Sequence, residues 1–304
     1  MGGLKEIVRG VAVLPISIAN VYFVGKPGER WALVDAGVPD RADDVRAAAE
    51  ERYGKNARPE AIFLTHGHFD HAGSARELAE GWNVPVYAHS LELPFITGRA
   101  EYPPPDPTVG GFLALLSRLF PHEPLNLGHH VRELPTDGTL PGLHGWRIIH
   151  TPGHTRGHVC FFREQDGVLL AGDALATVDL DSALAVLTKK KEFNKPPAPM
   201  TIDWREAHRS INRLADLRPS VVGCGHGNPI TEGNVAKQFA KFAARFTPPK
   251  KGRYVRQPAI TDERGIVRLP PPVPDPLPKV VAATVGVAAL TGAAVVYAMR
   301  RNKR

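Results

Sequence analysis

Short apolar runs recur along residues 1–245, and two periodicities alternate among them. VYFVG (21–25) and WALVDAG (31–37) are β-branched and aromatic runs on either side of the turn composition KPGE, and they predict a hairpin. Residues 40–53, DRADDVRAAAEERY, carry acids early and strong helix formers throughout, which predicts a helix with Asp40 at its N-cap. AIFLT, VPVYAH, GWRIIHT, HVCFFR, GVLLAGD and SVVGCGHG read as further strands, with helices over SARELAEGW and over 203–217. Strands and helices mixed on this scale predict an α/β layered domain.

Two stretches do not fit the alternation. Residues 99–135 begin RAEYPPPDPTVGG and continue into FLALLSRLF, an apolar run whose one charge is Arg118. Residues 174–200 contain SALAVLT followed by KKKEFNKPPAPM. Each is open to two readings, a substrate wall or lid, and plain core packing of residues such as Leu113, Leu116 and Leu119.

The pattern changes again towards the C-terminus. Residues 247–278 hold nine prolines without apolar periodicity, a composition that favours extended polyproline II. Residues 280–299, VVAATVGVAALTGAAVVYAM, carry no charge and are followed by RRNKR. At about 1.5 Å rise per residue such a run matches the roughly 30 Å of a bilayer's hydrocarbon core. A buried Ala-rich helix is the blander account. The expected partition is therefore a folded domain over 1–245, a proline-rich linker over 246–279, a transmembrane helix over 280–299 and a basic tail over 300–304. MGGLKEIVRGVAVLP is broken by Arg9 and Pro15 and is no signal peptide, so the expected topology is a single-pass C-terminal anchor with the domain in the cytoplasm.

Charge sharpens that division. The chain has 304 residues and a net charge of +7, yet residues 246–304 alone hold 11 Lys/Arg against 3 Asp/Glu, leaving 1–245 at −1. A main domain without basic excess gives no support to a nucleic-acid surface. The 2 cysteines, Cys160 and Cys224, cannot build a disulfide scaffold. Nothing in the sequence sets an oligomeric state.

The chemistry lies at the ends of the apolar runs. LTHGHFDHAGS brings His66, His68, Asp70 and His71 into one loop after AIFLT; TPGHT brings His154, LLAGDA brings Asp173, and VVGCGHG brings His226. Strand ends of a layered α/β protein share a rim, so these side chains can converge. Imidazoles and carboxylates suit borderline divalent ions such as zinc without any thiolate. Two such ions lower the pKa of a shared water far enough to supply hydroxide near neutral pH. His89, His129, His130, His144 and His150 lack a ligand context, and His158 reads as structural.

This set resembles the metallo-β-lactamase fold superfamily, whose HxHxDH signature stands here as HGHFDH and whose later His, Asp and His match His154, Asp173 and His226. The resemblance spans roughly residues 10–235. It implies a four-layer αββα sandwich and a binuclear centre of two Zn2+, with iron or manganese as alternatives. One metal falls to His66, His68 and His154, the other to Asp70, His71 and His226, with Asp173 bridging and Asp35 of LVDAG bracing the metal loops. HTRGHVCFF and THGHFDHAG look most like the glyoxalase II and lactonase branches, although the chain departs from both in its C-terminal third. The implied activity is hydrolysis of an ester, thioester or lactone, with Asp70 relaying a proton to the leaving group of a small-molecule substrate. An anchored hydrolase with apolar insertions would suit amphipathic, acyl-bearing substrates. Mononuclear iron persulfide dioxygenases of the same superfamily keep much of the motif and form the alternative.

Overall fold

The computed structural model describes residues 3–121, 124–135 and 140–275. Among these, β1 (Lys5–Val8), β2 (Val11–Ile16), β3 (Ala19–Val24), β4 (Ala32–Val34), β5 (Ile62–Phe63), β6 (Val86–Ala88) and β7 (Val131–Glu133) form one sheet in chain order. β1 to β4 meander antiparallel, and β4 to β7 run parallel. A second sheet has the order β11 (Val221–Gly223), β10 (Val168–Leu170), β9 (Val159–Arg163), β8 (Trp146–His150).

The period of two along each strand sorts side chains into separate cores. On β2, Val11 and Val13 face the other sheet, where they meet Phe161 of β9 and Leu170 of β10 in one cluster. Ala12 and Leu14 point outward and pack beneath the helices Ala42–Tyr53 and Ala75–Trp82, through Val45, Ala49, Leu78 and Trp82. On the second sheet Cys160, Phe162 and Leu169 point outward to Trp204, Ile211 and Leu214 of the helix Trp204–Asp216 and to Phe239 of Val235–Ala243. Helices thus cover both outer faces of two stacked sheets, the four layers expected.

The hairpin expected at 21–37 forms, with Tyr22 opposite Val34. Its neighbouring helix does not start as expected. Asp40 sits at φ 60° outside the helix, and Arg41 holds the N-cap position without a side-chain bond. The Arg41 N–H instead donates to Ser74 Oγ at 3.1 Å, so a hydroxyl from the next helix serves a capping role. Asp203 does cap its helix, accepting from the N–H groups of Arg205 and Glu206 at 3.0 and 3.1 Å.

The compact unit ends at Pro271 rather than at 245. Phe246, Tyr254 and Ala259 are buried in the core under the second sheet's helices. Tyr254 donates to the Pro104 carbonyl at 2.7 Å, and Ala259 N–H to Ile202 O at 3.1 Å. A hairpin, Ile260–Asp262 with Gly265–Arg268, follows. A few apolar anchors spaced among prolines hold this stretch, and a composition average over the whole segment hides them. Among the described residues no helix is long and apolar enough to cross a membrane. The span expected at 280–299, the tail at 300–304 and linker positions 276–279 lie outside the described residues.

Candidate metal centre

Each candidate ligand follows the C-terminal end of a strand. β5 ends at Phe63 and the chain passes through Leu64 and Thr65 to His66. The HGHFDH loop then enters the short helix Phe69–Ala72, which carries Asp70 and His71. His154 follows β8, Asp173 follows β10, and His226 follows β11. None of the seven is more than 6% exposed.

The donor atoms meet. His66, His68 and His154 form one group with all ligand atoms within 4.8 Å of one another; Asp70, His71 and His226 form a second; His66, His71 and Asp173 form a third that overlaps both. Asp173 Oδ2 lies 3.1 Å from His226 Nε2, 3.4 Å from His71 Nε2 and 3.5 Å from His154 Nε2. It stands between the two triads.

Hydrogen bonds on the far side of each ring fix what faces inward. His71 Nδ1–H donates to Asp35 Oδ2 at 2.8 Å, and His226 Nδ1–H to Ile18 O at 2.6 Å. The Thr65 hydroxyl gives its proton to Asp35 and the Thr201 hydroxyl gives its proton to Pro197 O, so each oxygen accepts from a histidine: His66 Nδ1 at 3.1 Å and His154 Nδ1 at 3.2 Å. Four imidazoles are thereby held as Nδ1–H tautomers with an Nε2 lone pair aimed into the cluster. His68 adds Nδ1, 3.0 Å from His154 Nε2.

Lone pair therefore faces lone pair, and acceptor faces carboxylate. His66 Nε2, His71 Nε2 and Asp173 Oδ1 are buried without any hydrogen-bond partner. Unsatisfied acceptors at this depth cost free energy unless a cation lies between them. The electrostatics agree. Burial, reinforced by neighbouring imidazoles, holds His66 far below its ordinary pKa, and burial holds His68 at about 3. Burial also opposes charge on His71 and His226, but the neighbouring carboxylates outweigh it, raising His71 well above its ordinary value and His226 to about 9, so without metal a proton stands on the Nε2 that a cation would otherwise occupy. The carboxylates thus call for positive charge at this spot. This donor set, five imidazole nitrogens and two carboxylates, fits divalent metal.

The loops are tied to each other beneath the cluster. Asp35, 1% exposed and at φ 60°, accepts from Thr65 N–H at 2.8 Å as well as from His71, so one carboxylate braces both halves of the HGHFDH loop. Gly225 must lack a side chain, because a Cβ there would run into Asp173 Oδ1 and the His71 ring. His158 stays out of the cluster: its Nε2 accepts from Asp173 N–H at 2.9 Å, and its Nδ1 bonds the Thr151 hydroxyl at 2.8 Å. His89 and His150 stack on one another elsewhere, and Cys224 is buried in the core.

Besides Thr65, Thr201 and Ile18, sequence reasoning missed Glu92, Tyr102 and Asn20 in this framework. Glu92 is fully buried and accepts from Gly67 N–H at 3.0 Å, from Thr155 Oγ1 at 2.7 Å, from Gly157 N–H at 2.9 Å and from the Tyr102 hydroxyl. It joins the loop of His66 and His68 to the loop of His154. Tyr102, from the proline-rich insertion, also packs its ring 4.5 Å from that of His68. Asn20 Nδ2 donates to Cys224 O and Gly227 O at 2.9 and 2.7 Å, fastening the His226 loop to the first sheet. The one signal available for Glu92 was an acid set between two leucines in SLELP.

The sequence profile of the Metallo-beta-lactamase superfamily matches residues 14–226. The chain belongs to that superfamily. Within it, the chain is similar to the probable metallo-hydrolase YflN of Bacillus subtilis, 44% identical over 245 residues, covering 80% of this chain and 93% of the relative. It is also similar to the probable metallo-hydrolase YybB of the same organism, 30% identical over 219 residues, with 71% and 84% covered. Among solved structures, a metallo-beta-lactamase family protein of Thermus thermophilus superposes with a TM-score of 0.51 at 25% identity, covering 79% of this chain and 80% of that one. A B3 metallo-beta-lactamase with an active-site glutamic acid superposes at 0.56 and 17% identity, over 81% and 88%, a likeness of fold.

In this superfamily member a cavity of about 230 Å³ opens beside the cluster, with Asp70 and His226 in its wall. The two stretches that resisted the strand–helix alternation supply much of the rest. The helix Phe112–Leu116 contributes Phe112, Leu113 and Leu116, and the 174–200 stretch contributes Val178, Leu180 and Val186. The stretches are bonded to one another, Phe112 N–H to Asp181 O at 2.9 Å and Leu113 N–H to Leu180 O at 3.2 Å. Leu119, one of the three leucines open to a core reading, is 83% exposed.

Proposed function

We propose that the chain is a binuclear metal-dependent hydrolase that cleaves an ester, thioester or lactone. The observation that carries this is the pair of triads, His66–His68–His154 and Asp70–His71–His226, with Asp173 between them and its Oδ1 unpartnered. His66, His68 and His154 would hold one ion, Asp70, His71 and His226 the other, with Asp173 shared. Two Zn2+ suit the donors, and iron or manganese would also be accepted by them. Bound metal would supply a hydroxide at neutral pH and an electrophile for the carbonyl oxygen.

The chain's own residues do the rest. Asp70 and His226 border the cavity, so the scissile carbonyl would be presented there. Asp70 Oδ2, 3.4 Å from His226 Nε2, is positioned to take the attacking water's proton and pass it to the leaving oxygen or sulfur. Asp35, Thr65, Thr201 and Ile18 O keep the imidazoles in the ligating tautomer.

The test is metal analysis of the purified full chain beside a panel of thioester, lactone, ester, phosphodiester, β-lactam and persulfide substrates. Two metal ions per chain and turnover of a carboxylic ester, thioester or lactone are expected. One iron per chain with oxygen uptake on persulfide would overturn the reading in favour of a dioxygenase. Asp70→Ala is expected to lower kcat/KM by about 10²-fold or more, and unchanged turnover at native metal content would remove Asp70 from its assigned role. The uncharged run 280–299 supports a further part of the reading, that a C-terminal helix anchors the enzyme with its catalytic domain in the cytoplasm. Fractionation with protease protection tests this, and a full-length chain wholly in the soluble fraction would refute it.

A further inference from the structure

We propose that the cavity beside Asp70 and His226 is an acyl-chain pocket, and that the substrate is an ester or thioester of a medium-length aliphatic acid. This rests on the hydrolase reading above and names its substrate class.

The cavity has a polar end and an apolar body. Asp70 and His226 mark the reacting end, Phe112, Leu113, Leu116, Val178, Leu180 and Val186 wall most of the remainder, and Lys189 and Asn228 are among the polar groups left in the lining. A lining that is mostly apolar rewards burial of methylene groups in proportion to their area. The walls come from two stretches that are joined by backbone hydrogen bonds, so the pocket is a built feature and not a gap between mobile loops. An apolar cavity of about 150 Å³ takes one benzene ring. By that scale the 230 Å³ here holds roughly nine carbon atoms. The same two stretches carry Leu119, Leu184 and Leu187 at 83%, 69% and 81% exposure, an apolar approach suited to an aliphatic ligand.

The reaction balances without any further reagent. The acyl–oxygen or acyl–sulfur bond breaks, the hydroxyl of water joins the acyl carbon, and the remaining proton goes through Asp70 to the departing alcohol or thiol.

The experiment uses the metal-loaded full chain with acetyl, butyryl, octanoyl and myristoyl esters of p-nitrophenol, and with the matching thioesters. If each added methylene is buried, kcat/KM rises about fourfold per methylene, or about fifteenfold per two carbons, up to octanoyl, and falls at myristoyl. Leu116→Trp fills the pocket and is expected to lower the octanoyl-to-butyryl ratio at least about tenfold. A flat chain-length profile, or an unchanged ratio in a folded Leu116→Trp chain, overturns the acyl pocket and leaves the hydrolase reading standing. If fully loaded protein cleaves neither these esters and thioesters nor the lactones of the wider panel, the hydrolase reading fails. Calorimetry then decides the pocket separately: octanoate binding at least tenfold tighter than acetate supports it, and equal binding overturns it.

Discussion

Replacing Glu92 by Gln tests whether a carboxylate outside the ligand set holds the metal loops in place. Oε2 accepts from Gly67 N–H and from the Tyr102 hydroxyl, and Oε1 from Thr155 Oγ1 and Gly157 N–H. An amide must put its NH2 where one of these oxygens was. The hydroxyls can turn and accept, but each oxygen also faces a backbone N–H, which cannot. With the amide nitrogen at Oε1, Gly157 N–H is left buried and unpaired, at about 1–3 kcal/mol; with it at Oε2, Gly67 N–H keeps the Tyr102 hydroxyl as acceptor at 3.0 Å, and either way the surviving bonds lose the charge that strengthened them. Burial pushes the Glu92 carboxyl up while its four donors pull it down, so a neutral amide regains part of the desolvation cost. The net expectation is a loss of about 1–3 kcal/mol, enough to shift the urea midpoint of the metal-free protein clearly without unfolding it. Because Gly67 lies between His66 and His68 and Thr155 follows His154, chelator competition should also show metal held about 10–100-fold more weakly. A Glu92→Gln chain that matches wild type in both midpoint and metal affinity would refute the bracing role.

Further outcomes follow from single contacts. Gly225→Ala drives a Cβ into Asp173 Oδ1 and the His71 ring, so purified protein should retain far less metal while its near-native circular dichroism persists. Burial pushes the Cys160 thiol up to about 12 and raises Cys224 further from its ordinary value. Neither buried thiol should react with a disulfide reagent at pH 8 until the chain is unfolded, and in the folded chain only about one Cys160 thiol in 10⁴ is ionised at that pH. Burial, with His150 stacked on it, lowers His89 to about 4. The folded chain then binds fewer protons than the unfolded one, so this residue's contribution to stability is complete above pH 6.5 and is lost as pH falls towards 4. His89→Asn, whose side-chain oxygen can still accept from Leu91 N–H as His89 Nδ1 does, should flatten that part of the metal-free protein's stability curve.

The fold was legible because each sheet is sandwiched. A strand buried on both faces is a continuous apolar run, and VYFV, AIFL, VCFF and VLL are all of that kind. What the pattern did not carry was pairing order or the inward and outward sorting of Val11 from Ala12, since both positions are apolar. β1 and β2 were missed for a related reason: Arg9, Gly10 and Pro15 break their run, although Pro15 sits within β2 without ending it. The domain boundary was misplaced because three buried side chains, Phe246, Tyr254 and Ala259, are few against nine prolines, and burial depends on where Pro104 and Ile202 lie in space.

The metal cluster and its supports differ in legibility for a chemical reason. A metal ligand must be one of very few side chains, so the candidates His66, His68, Asp70, His71, His154, Asp173 and His226 announce themselves by type and by their places after strands. A support for an imidazole Nδ1–H needs only an oxygen, and almost any will serve. Here the four are Asp35, a carboxylate; Thr65 and Thr201, hydroxyls whose own protons are already engaged; and the main-chain carbonyl of Ile18. A backbone carbonyl leaves no trace in a sequence at all. The same holds for the cavity: any apolar residue can wall it, so FLALL and SALAVLT read equally as core. Only the bonds from Phe112 and Leu113 to 180–181 turn them into one surface facing Asp70. Type-restricted chemistry can be read from letters, whereas function that depends on an oxygen or a methyl group in the right place needs coordinates.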